Sequence, residues 1–288
     1  MVIHSFAKLN LFLKVINKRT DNYHNLKTLF ERISLSDRIT LNELANSSII
    51  IKCAAKDVPC GKDNLCFKAA SLLRDKFAPK KGVCINITKK IPVGAGLGGG
   101  SSNAAAVLLG LNRLWKLKLS KGELVKIASQ IGSDVPFFIY DQPFALGSGR
   151  GEIIKPLAHL NKIKLWHLLV VPRIRVSTPS IYASWDNFAG LTKPCCDVKM
   201  LTSELAKRKP FLRGDLFFNS LQQVTSRIYP EVARVRNLLL DLNLDCVLMS
   251  GSGPAVFSIM PSRNEAIKLA ASIKKKYKSW RIYTVSTA

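Results

Sequence analysis

Alternating apolar and polar positions near the start of the chain predict a β-strand over residues 6–15. One face carries aliphatic side chains, and the other carries Lys8 and Asn10. A second alternation over residues 83–87 predicts a strand that leads into a glycine-rich segment. Apolar residues at helical spacing follow over residues 104–115. The chain therefore begins with a strand–loop–helix unit of unusual composition.

Sequence patterns typical of helix caps predict where two further helices begin. Ser120 and Glu123 have the spacing of a capping box, and Gly132 is placed to end the helix that they begin. Ser262 and Glu265 repeat the same spacing near the end of the chain. Both pairs precede apolar residues at helical spacing, so both predict the start of an amphipathic helix.

The second half of the chain shows a different order of elements. Its patterns predict helices over residues 230–243 and from residue 265, and strands over residues 165–171, 246–249, 255–260 and 280–285. This β-α-β-β-α-β order is that of the split βαβ, ferredoxin-like domain. The Gly147–Gly151 turn, followed by Pro156, indicates a boundary, so we expect domains at 1–155 and 156–288. Residues 172–229 carry no pattern that places their helices.

The composition is that of a globular protein, since 47% of the residues are hydrophobic and 22% are charged. No apolar run is long enough to cross a bilayer, and Lys8, Asn10 and Lys14 interrupt the start of the chain where a signal peptide would be apolar. We therefore expect a cytoplasmic protein with no membrane partner. The seven cysteines form no C-x-x-C pair, which predicts reduced, mostly buried thiols and no protein metal site.

The formal net charge of +25 favours anionic ligands without choosing among them. Nucleic acid, a polyphosphate substrate and an ordinary basic surface are all compatible with it. Lysine and arginine are dispersed along the chain, and no basic stretch is interleaved with aromatic residues. The charge alone therefore does not indicate a nucleic-acid partner.

Residues 91–102 read IPVGAGLGGGSS, and this glycine-rich loop is the strongest chemical signal in the chain. Without Cβ atoms, its glycines let backbone N–H groups approach a ligand closely. The helix expected to begin near Ser101 adds unpaired N–H groups and the positive end of its dipole. Ser101 and Ser102 add hydroxyl groups at the same end. Together these features predict a phosphate-binding site.

Three other interpretations of the loop are weaker. Gly94-x-Gly96-x-x-Gly99 fits the dinucleotide fingerprint, but the acidic residue expected about 20 residues later is missing, because the nearest candidate, Glu123, belongs to a capping box. A Walker A loop needs a Gly-Lys-Ser/Thr sequence, and this loop has no lysine. A loop without a ligand is disfavoured because a strand and a helix flank it so closely.

Three segments of the chain resemble the motifs of the GHMP kinases, which include galactokinase, homoserine kinase, mevalonate kinase and phosphomevalonate kinase. PVGAGLGGGSSNAA at residues 92–105 resembles their ATP-binding motif, AKLNLFL at 7–13 resembles the first motif, and SGSGPAVF at 250–257 resembles the third. The resemblance implies a two-domain α+β fold, with an N-terminal ribosomal-protein-S5-like domain and a C-terminal ferredoxin-like domain. It also implies that the third motif packs against the glycine-rich loop.

The resemblance further implies that ATP, accompanied by Mg²⁺, is bound by Lys89 and by the loop residues Pro92, Val93, Gly94, Ala95, Gly96, Leu97, Gly98, Gly99, Gly100, Ser101 and Ser102. It gives two residues catalytic roles. Asp134 would take the proton of the acceptor hydroxyl or orient that hydroxyl, and Lys8 would keep Asp134 ionised and stabilise the transferring phosphoryl group. Ordinary alternatives are a helix-capping aspartate, a solvated strand lysine and a serine N-cap.

Within the superfamily, RTDNYHNL at residues 19–26 and GSDVPFF at 132–138 are similar to the branch of the non-mevalonate isoprenoid pathway. That branch phosphorylates the 2-hydroxyl of a cytidine-diphosphate sugar alcohol. Asn10, Tyr23 and His24 would recognise the cytidine diphosphate part, since an aromatic ring suits stacking on a pyrimidine. The branch usually has glycine where this chain has Asn22, and asparagine tolerates left-handed backbone.

Two alternatives remain open from the sequence. One is another GHMP kinase such as homoserine kinase, against which the segment from Asp21 to His24 argues. The other is a basic nucleic-acid-binding protein on a kinase fold, which would bind nucleic acid in a salt-dependent way without ATP turnover. Intact Lys8 and Asp134 argue against the second alternative, so no nucleic-acid partner is expected.

Overall fold

The computed structural model describes residues 1–188, 194, 196–207 and 214–288. Eleven strands lie within these ranges: β1 Val2–Lys18, β2 His24–Leu44, β3 Ile49–Cys53, β4 Gly82–Thr88, β5 Phe144–Ser148, β6 Ile153–Pro156, β7 Trp166–Val171, β8 Phe218–Asn219, β9 Val247–Met249, β10 Val256–Met260 and β11 Arg281–Ser286.

Nine α-helices lie in the same ranges: α1 Leu65–Phe77, α2 Gly99–Leu114, α3 Lys121–Ile131, α4 Val135–Ile139, α5 Thr178–Asp186, α6 Val198–Ala206, α7 Gln222–Ile228, α8 Pro230–Asp241 and α9 Arg263–Lys276. Two short 3₁₀ turns are present at Ala158–Leu160 and Gly214–Leu216. Every helix in the described part of the chain is too short or too polar to cross a lipid bilayer.

The first sheet has seven strands in the order β3-β4-β2-β1-β8, with β5 paired to β2 and β6 paired to β5. The length of β2 allows this branching, because it pairs with β1 over most of its course, with β5 over Thr28–Glu31 and with β4 over Arg38–Leu44. Helices α1 to α4 pack with this sheet around a shared apolar core that includes Leu73, Leu108 and Phe137. The strands predicted over residues 6–15 and 83–87 are confirmed as parts of β1 and β4.

Both faces of β1 are buried over residues 7–13, in the middle of the strand. Ala7, Leu9 and Leu11 pack in a core with Leu169 of β7 and Phe257 of β10. The opposite, polar face meets the cleft described below. Up to Asn10, the alternation separates a face that joins the two sheets from a face available for chemistry, and a register shift before Phe12 then ends it.

The second sheet has four strands in the order β11-β7-β10-β9. With α8 before β9 and α9 before β11, this is the predicted β-α-β-β-α-β arrangement, and the ferredoxin-like prediction is confirmed. Strand β6 ends at Pro156 within the first sheet, and Phe218–Asn219 of β8 returns to pair in parallel with β1. The division of the chain at 155/156 stays a prediction.

Helix termini follow the capping signals of the sequence. Ser120 and Glu123 form the complete capping box of α3, whose end is at Gly132. The hydroxyl of Ser262 accepts a hydrogen bond from the Glu265 N–H at the start of α9. Side-chain oxygens thus satisfy N–H groups that have no partner inside the helix.

The cysteines differ in burial. Cys66 and Cys84 are buried, Cys53 is half-buried and Cys60 is exposed. Burial raises the pKa of the Cys66 thiol to about 12, which makes it unreactive at neutral pH. Cys195 lies outside the described residues.

Candidate active site

A cleft of about 980 Å³ lies where the two sheets meet. It is lined by the polar face of β1, the start of β2, the glycine-rich loop, the residues before α4 and one side of α5. Most of the site residues predicted from the sequence line this cleft: Lys8, Asn10, Tyr23, His24, Lys89, Asp134 and residues 92–101 of the loop. The cleft therefore brings together residues from both halves of the chain.

The glycine-rich loop delivers the start of α2 to this cleft. Gly98 is the N-cap and has a φ of 66°, and the helix begins at Gly99, slightly earlier than expected. The N–H of Ser102 makes the first bond of the helix, to the carbonyl oxygen of Gly98 at 2.8 Å. The preceding N–H groups, of Gly99, Gly100 and Ser101, have no partner within the helix. Their residues line the cleft, so the positive end of the helix dipole lies there.

The third motif packs against this loop, as the resemblance implies. The hydroxyl of Ser250 donates to the carbonyl oxygen of Gly96 at 3.0 Å, and the N–H of Ala255 donates to that of Ala95 at 3.3 Å. A Cβ on Gly96 would lie 2.1 Å from the carbonyl oxygen of Ser250, and Gly96 has a φ of 75°. Close packing and a left-handed backbone together require glycine at this position.

Lys8 and Asp134 form an ion pair in the cleft, with 3.8 Å between Lys8 Nζ and Asp134 Oδ2. The Lys8 side chain is buried, whereas that of Asp134 is 35% exposed toward the cleft. Asp134 occupies the N-cap position of α4, but its side chain makes no capping hydrogen bond. The geometry therefore favours a carboxylate aimed at a ligand over a helix cap.

Lys8 is also held by the loop and by its neighbours. Its N–H donates to the carbonyl oxygen of Leu97 at 3.0 Å, and its Nζ donates to Asn10 Oδ1 at 2.5 Å. Asn10 Nδ2 in turn donates to Thr28 Oγ1 at 2.8 Å. Burial lowers the pKa of Lys8, and the charge of Asp134 offsets part of that decrease. An ammonium group is thus fixed between the loop and the carboxylate.

His24 lies at the other end of the cleft, against helix α5. Its Nε2 is 2.6 Å from Asp186 Oδ1, and its ring stacks on Tyr182 with 4.9 Å between the centroids. Asp186 is also ion-paired to Lys18 at 2.8 Å. Burial raises the pKa of Asp186, but hydrogen bonds from Lys18 and His24 outweigh burial and hold that pKa below its ordinary value. Tyr23 is 53% exposed at the same end.

Tyr182 and Asp186 also line the cleft, although neither was predicted from the sequence to be a site residue. They lie in the stretch over residues 172–229, where no pattern placed a helix. Asn22 has a φ of 63°, so the turn before Tyr23 adopts the left-handed backbone expected for asparagine.

Lys89 reaches the cleft from a buried network around Asp37. It is ion-paired to Asp37, whose Oδ1 accepts from the N–H groups of Lys90 at 2.7 Å and Ile91 at 2.9 Å. Asn103 Nδ2 donates to Asp37 Oδ2 at 2.9 Å. One carboxylate thereby fixes the entry to the glycine-rich loop and the first turn of α2. Nothing local in the sequence marks Asp37, because its partners are distant along the chain.

Among the predicted ATP-binding residues, Ser102 is the one that does not line the cleft. It is 2% exposed. Its hydroxyl accepts a hydrogen bond from Ser5 Oγ at 2.8 Å, and its N–H is used within α2. Ser102 therefore helps to pack α2 against β1, and Ser101 supplies the hydroxyl at the cleft.

Replacing Asp37 by asparagine is expected to destabilise the protein by about 2 kcal/mol, the order of a lost hydrogen bond to a charged group. The substitution leaves the Lys89 ammonium without its counter-charge. Both side chains are largely buried, with Asp37 0% and Lys89 9% exposed, so water does not replace the lost interaction. Urea unfolding would measure the change in the free energy of unfolding. We also expect a higher KM for ATP, because the loop entry is no longer fixed.

A matched control lies on the same strand. Glu43 of β2 is ion-paired to Lys81, but both side chains are well exposed, at 36% and 49%. Exposed pairs contribute less than about 1 kcal/mol, so Glu43→Gln should be nearly neutral. Equal decreases in the free energy of unfolding for Asp37→Asn and Glu43→Gln would contradict a stabilising role for the buried network around Asp37.

Sequence comparisons agree with this geometry. The sequence profile of the GHMP kinases N terminal domain matches residues 64–142, and that of the GHMP kinases C terminal region matches residues 203–279. A protein of Caldicellulosiruptor saccharolyticus named 4-diphosphocytidyl-2-C-methyl-D-erythritol kinase is 36% identical over 274 residues, covering 95% of this chain and 93% of that protein. One of the same name from Bacillus subtilis is 42% identical over 254 residues, covering 88% and 86%.

Solved structures give the same result. A 4-(cytidine 5'-diphospho)-2C-methyl-D-erythritol kinase superposes with a TM-score of 0.83 and 33% identity, covering 100% of both chains. A homoserine kinase from Cytophaga hutchinsonii superposes with a TM-score of 0.69 and 19% identity, which shows a shared fold alone. The chain belongs to the GHMP kinase family and, within it, to the 4-diphosphocytidyl-2-C-methyl-D-erythritol kinases.

Proposed function

We propose that this protein transfers the γ-phosphoryl group of ATP to the 2-hydroxyl of 4-diphosphocytidyl-2-C-methyl-D-erythritol, a step of the non-mevalonate isoprenoid pathway. The observation that carries the proposal is the Lys8–Asp134 pair, 3.8 Å apart, in the same cleft as the start of α2. A carboxylate, an ammonium and unpaired N–H groups in one cleft are the groups that phosphoryl transfer needs.

Each group has a distinct role in the proposed reaction. The Asp134 carboxylate accepts the proton of the acceptor hydroxyl or orients that hydroxyl for in-line attack. The Lys8 ammonium stabilises negative charge on the transferring phosphoryl group, and its ion pair with Asp134 holds the two groups side by side. The N–H groups of Gly99, Gly100 and Ser101 bind phosphate oxygens at the start of α2.

Mg²⁺ accompanies ATP in this proposal. The cleft offers hard oxygen donors in the Ser101 hydroxyl and the Asp134 carboxylate. In the described part of the chain, no cluster of three His, Cys, Asp or Glu side chains could cage a metal. This donor set fits an ion that keeps several waters and is held mainly by substrate phosphates. The ion would neutralise phosphate charge, and this chain would orient the phosphates around it.

The opposite end of the cleft receives the cytidine in this proposal. The exposed ring of Tyr23 offers a face for stacking on the pyrimidine, and His24 is held in place by Asp186 and Tyr182. The Asn10 amide makes one bond through each of its polar atoms, so it retains capacity for a further bond to the substrate. We propose a small-molecule partner in the cytoplasm, where ATP is available, and no nucleic-acid partner.

A substrate panel tests the proposal. Coupled ADP release should be stimulated by the cytidylyl substrate and not by homoserine or mevalonate. If homoserine stimulates turnover equally well, the alternative GHMP kinase assignment holds instead. Strong, salt-dependent binding of nucleic acid with no ATP turnover would favour the alternative of a binding protein on a kinase fold.

A further inference from the structure

Arg150 lines the cleft, although it belongs to none of the sequence motifs that identified the family. It lies in the turn between β5 and β6, beyond the residues 64–142 that match the N-terminal profile. Its guanidinium carbon is 4.9 Å from the centroid of the Tyr23 ring. Both residues line the cleft, at the end where His24 and Asp186 lie. A planar cation thus covers an otherwise exposed aromatic ring.

The turn is built to hold Arg150 in this position. Gly149 and Gly151, on either side of it, have φ values of 66° and 104°, which favour glycine. The carbonyl oxygen of Gly149 accepts from the N–H of Leu26 at 2.8 Å, which fastens the turn to β2 just after His24. The Glu152 carboxylate accepts from the Arg150 N–H at 2.6 Å and from its Nε at 3.5 Å.

We propose that Arg150 is a positioning residue for the cytidine end of the substrate. Its guanidinium stacks on one face of Tyr23 and holds the ring so that the other face can receive the pyrimidine. Tyr23 is 53% exposed, so protein packing alone restricts its ring little. Restricting a side chain before the ligand arrives lowers the entropy lost on binding. The inference rests on the proposed function.

An ordinary explanation is that Arg150 only closes the turn or adds surface charge. Its backbone N–H, rather than its side chain, makes the shorter bond to Glu152, and the side chain is 27% exposed. Turn closure would therefore tolerate any side chain at this position, and surface charge would tolerate lysine. A stacking role requires the planar guanidinium of arginine, because lysine presents a compact ammonium instead.

The first test compares Arg150→Gln with wild type. We expect KM for the cytidylyl substrate, and Kd for CDP as a probe, to rise roughly fivefold, the scale of a lost cation–π contact. The values of kcat and KM for ATP should stay within twofold of wild type. Tm should change by no more than a degree or two. Arg234 stacks on Tyr277 and Trp280 away from the cleft, so Arg234→Gln is a matched control that should change neither KM.

The second test separates stacking from charge. Arg150→Lys keeps the charge and should still raise KM for the cytidylyl substrate. In a Tyr23→Leu background, Arg150→Gln should have almost no further effect, since the two residues act through one contact. Equal KM and Kd values for wild type and Arg150→Gln would overturn the inference while leaving the proposed function intact. Failure of the wild type to bind CDP or use the cytidylyl substrate would overturn both.

Discussion

Replacing Asp134 by asparagine is expected to lower kcat by roughly 10²- to 10⁴-fold, the contribution typical of a general base. Asparagine has the same shape as aspartate but cannot accept the proton of the acceptor hydroxyl. Asp134 makes no capping bond to α4, but it is the counter-charge of the buried Lys8 ammonium, so the substitution should also destabilise the protein modestly. The loss of turnover should remain in fully folded protein well below Tm, so reduced stability does not account for it.

The loss has a second physical source. The charge of Asp134 raises the pKa of Lys8 against the effect of burial, so removing that charge lowers the pKa of Lys8 further. A fraction of the lysine then loses its proton at alkaline pH, and the alkaline decline in activity should shift to lower pH in Asp134→Asn. Single-turnover rates measured from neutral to alkaline pH would show this shift.

Asp141 provides the control for this substitution. It lies at the other end of α4, is 75% exposed and is ion-paired to Arg32, and it does not line the cleft. Asp141→Asn should leave kcat unchanged. Full activity of Asp134→Asn would refute the proposed role of the carboxylate, although the fold and the family assignment would stand.

Patterns that depend on neighbouring residues predicted about half of the strands and helices, and they missed the long central strand β2. The strands and helices of the C-terminal half have regular periodicity, and Ser120 and Ser262 cap helices at the predicted positions. The order β11-β7-β10-β9 then follows from the sequence of elements. Such features could be predicted because they are fixed by residues close together in the chain.

Helix α5 shows why the rest could not be predicted. Ile181 is its buried residue, whereas Tyr182 and Asp186 line the cleft. A helix whose polar and aromatic side chains serve a cleft has no apolar stripe, so hydrophobic periodicity does not reveal it. The residues that hold His24 were missed for this reason.

Asp37 and Ser102 show the same limit at the glycine-rich loop. Asp37 bonds to residues 52 to 66 positions away, and the Ser102 hydroxyl is used by Ser5, 97 positions away. No local pattern distinguishes a hydroxyl used by the protein from one offered to a ligand. The positions of Lys8 and Asp134 in one site likewise came from the resemblance and not from their spacing.

Replacing Lys8 by methionine is expected to lower kcat by roughly 10²- to 10³-fold, the scale of losing one group that stabilises charge in the transition state. Methionine keeps an apolar stem that can pack against Gly98, since a Cβ added to Gly98 would lie only 3.0 Å from Lys8 Cγ. It removes the ammonium that pairs with Asp134 and that we propose stabilises the transferring phosphoryl group. Both effects act on the chemical step, so kcat and kcat/KM should fall together.

The pH dependence gives this prediction a second measurement. Burial lowers the pKa of Lys8 below its ordinary value of 10.5, so activity that needs the ammonium should fall as pH rises, before pH 10.5 is reached. The free energy of unfolding changes with pH in the opposite direction. At a pH between the two pKa values, the unfolded chain still holds the Lys8 proton, which the folded chain has released. The free energy of unfolding therefore gains a positive slope with pH between the two pKa values, and Lys8→Met should lack that contribution.

Lys14 separates this role from a general effect of positive charge. It lies on the same strand but is exposed, so Lys14→Met removes one charge from a chain of net charge +25 without touching the cleft. We expect Lys14→Met to keep wild-type kcat and the wild-type alkaline decline. Lys8→Met should fold well, because the carboxylate that it leaves unpaired is partly solvated and a buried charge has been removed. A folded Lys8→Met with normal kcat would show that phosphoryl transfer here does not depend on the buried ammonium.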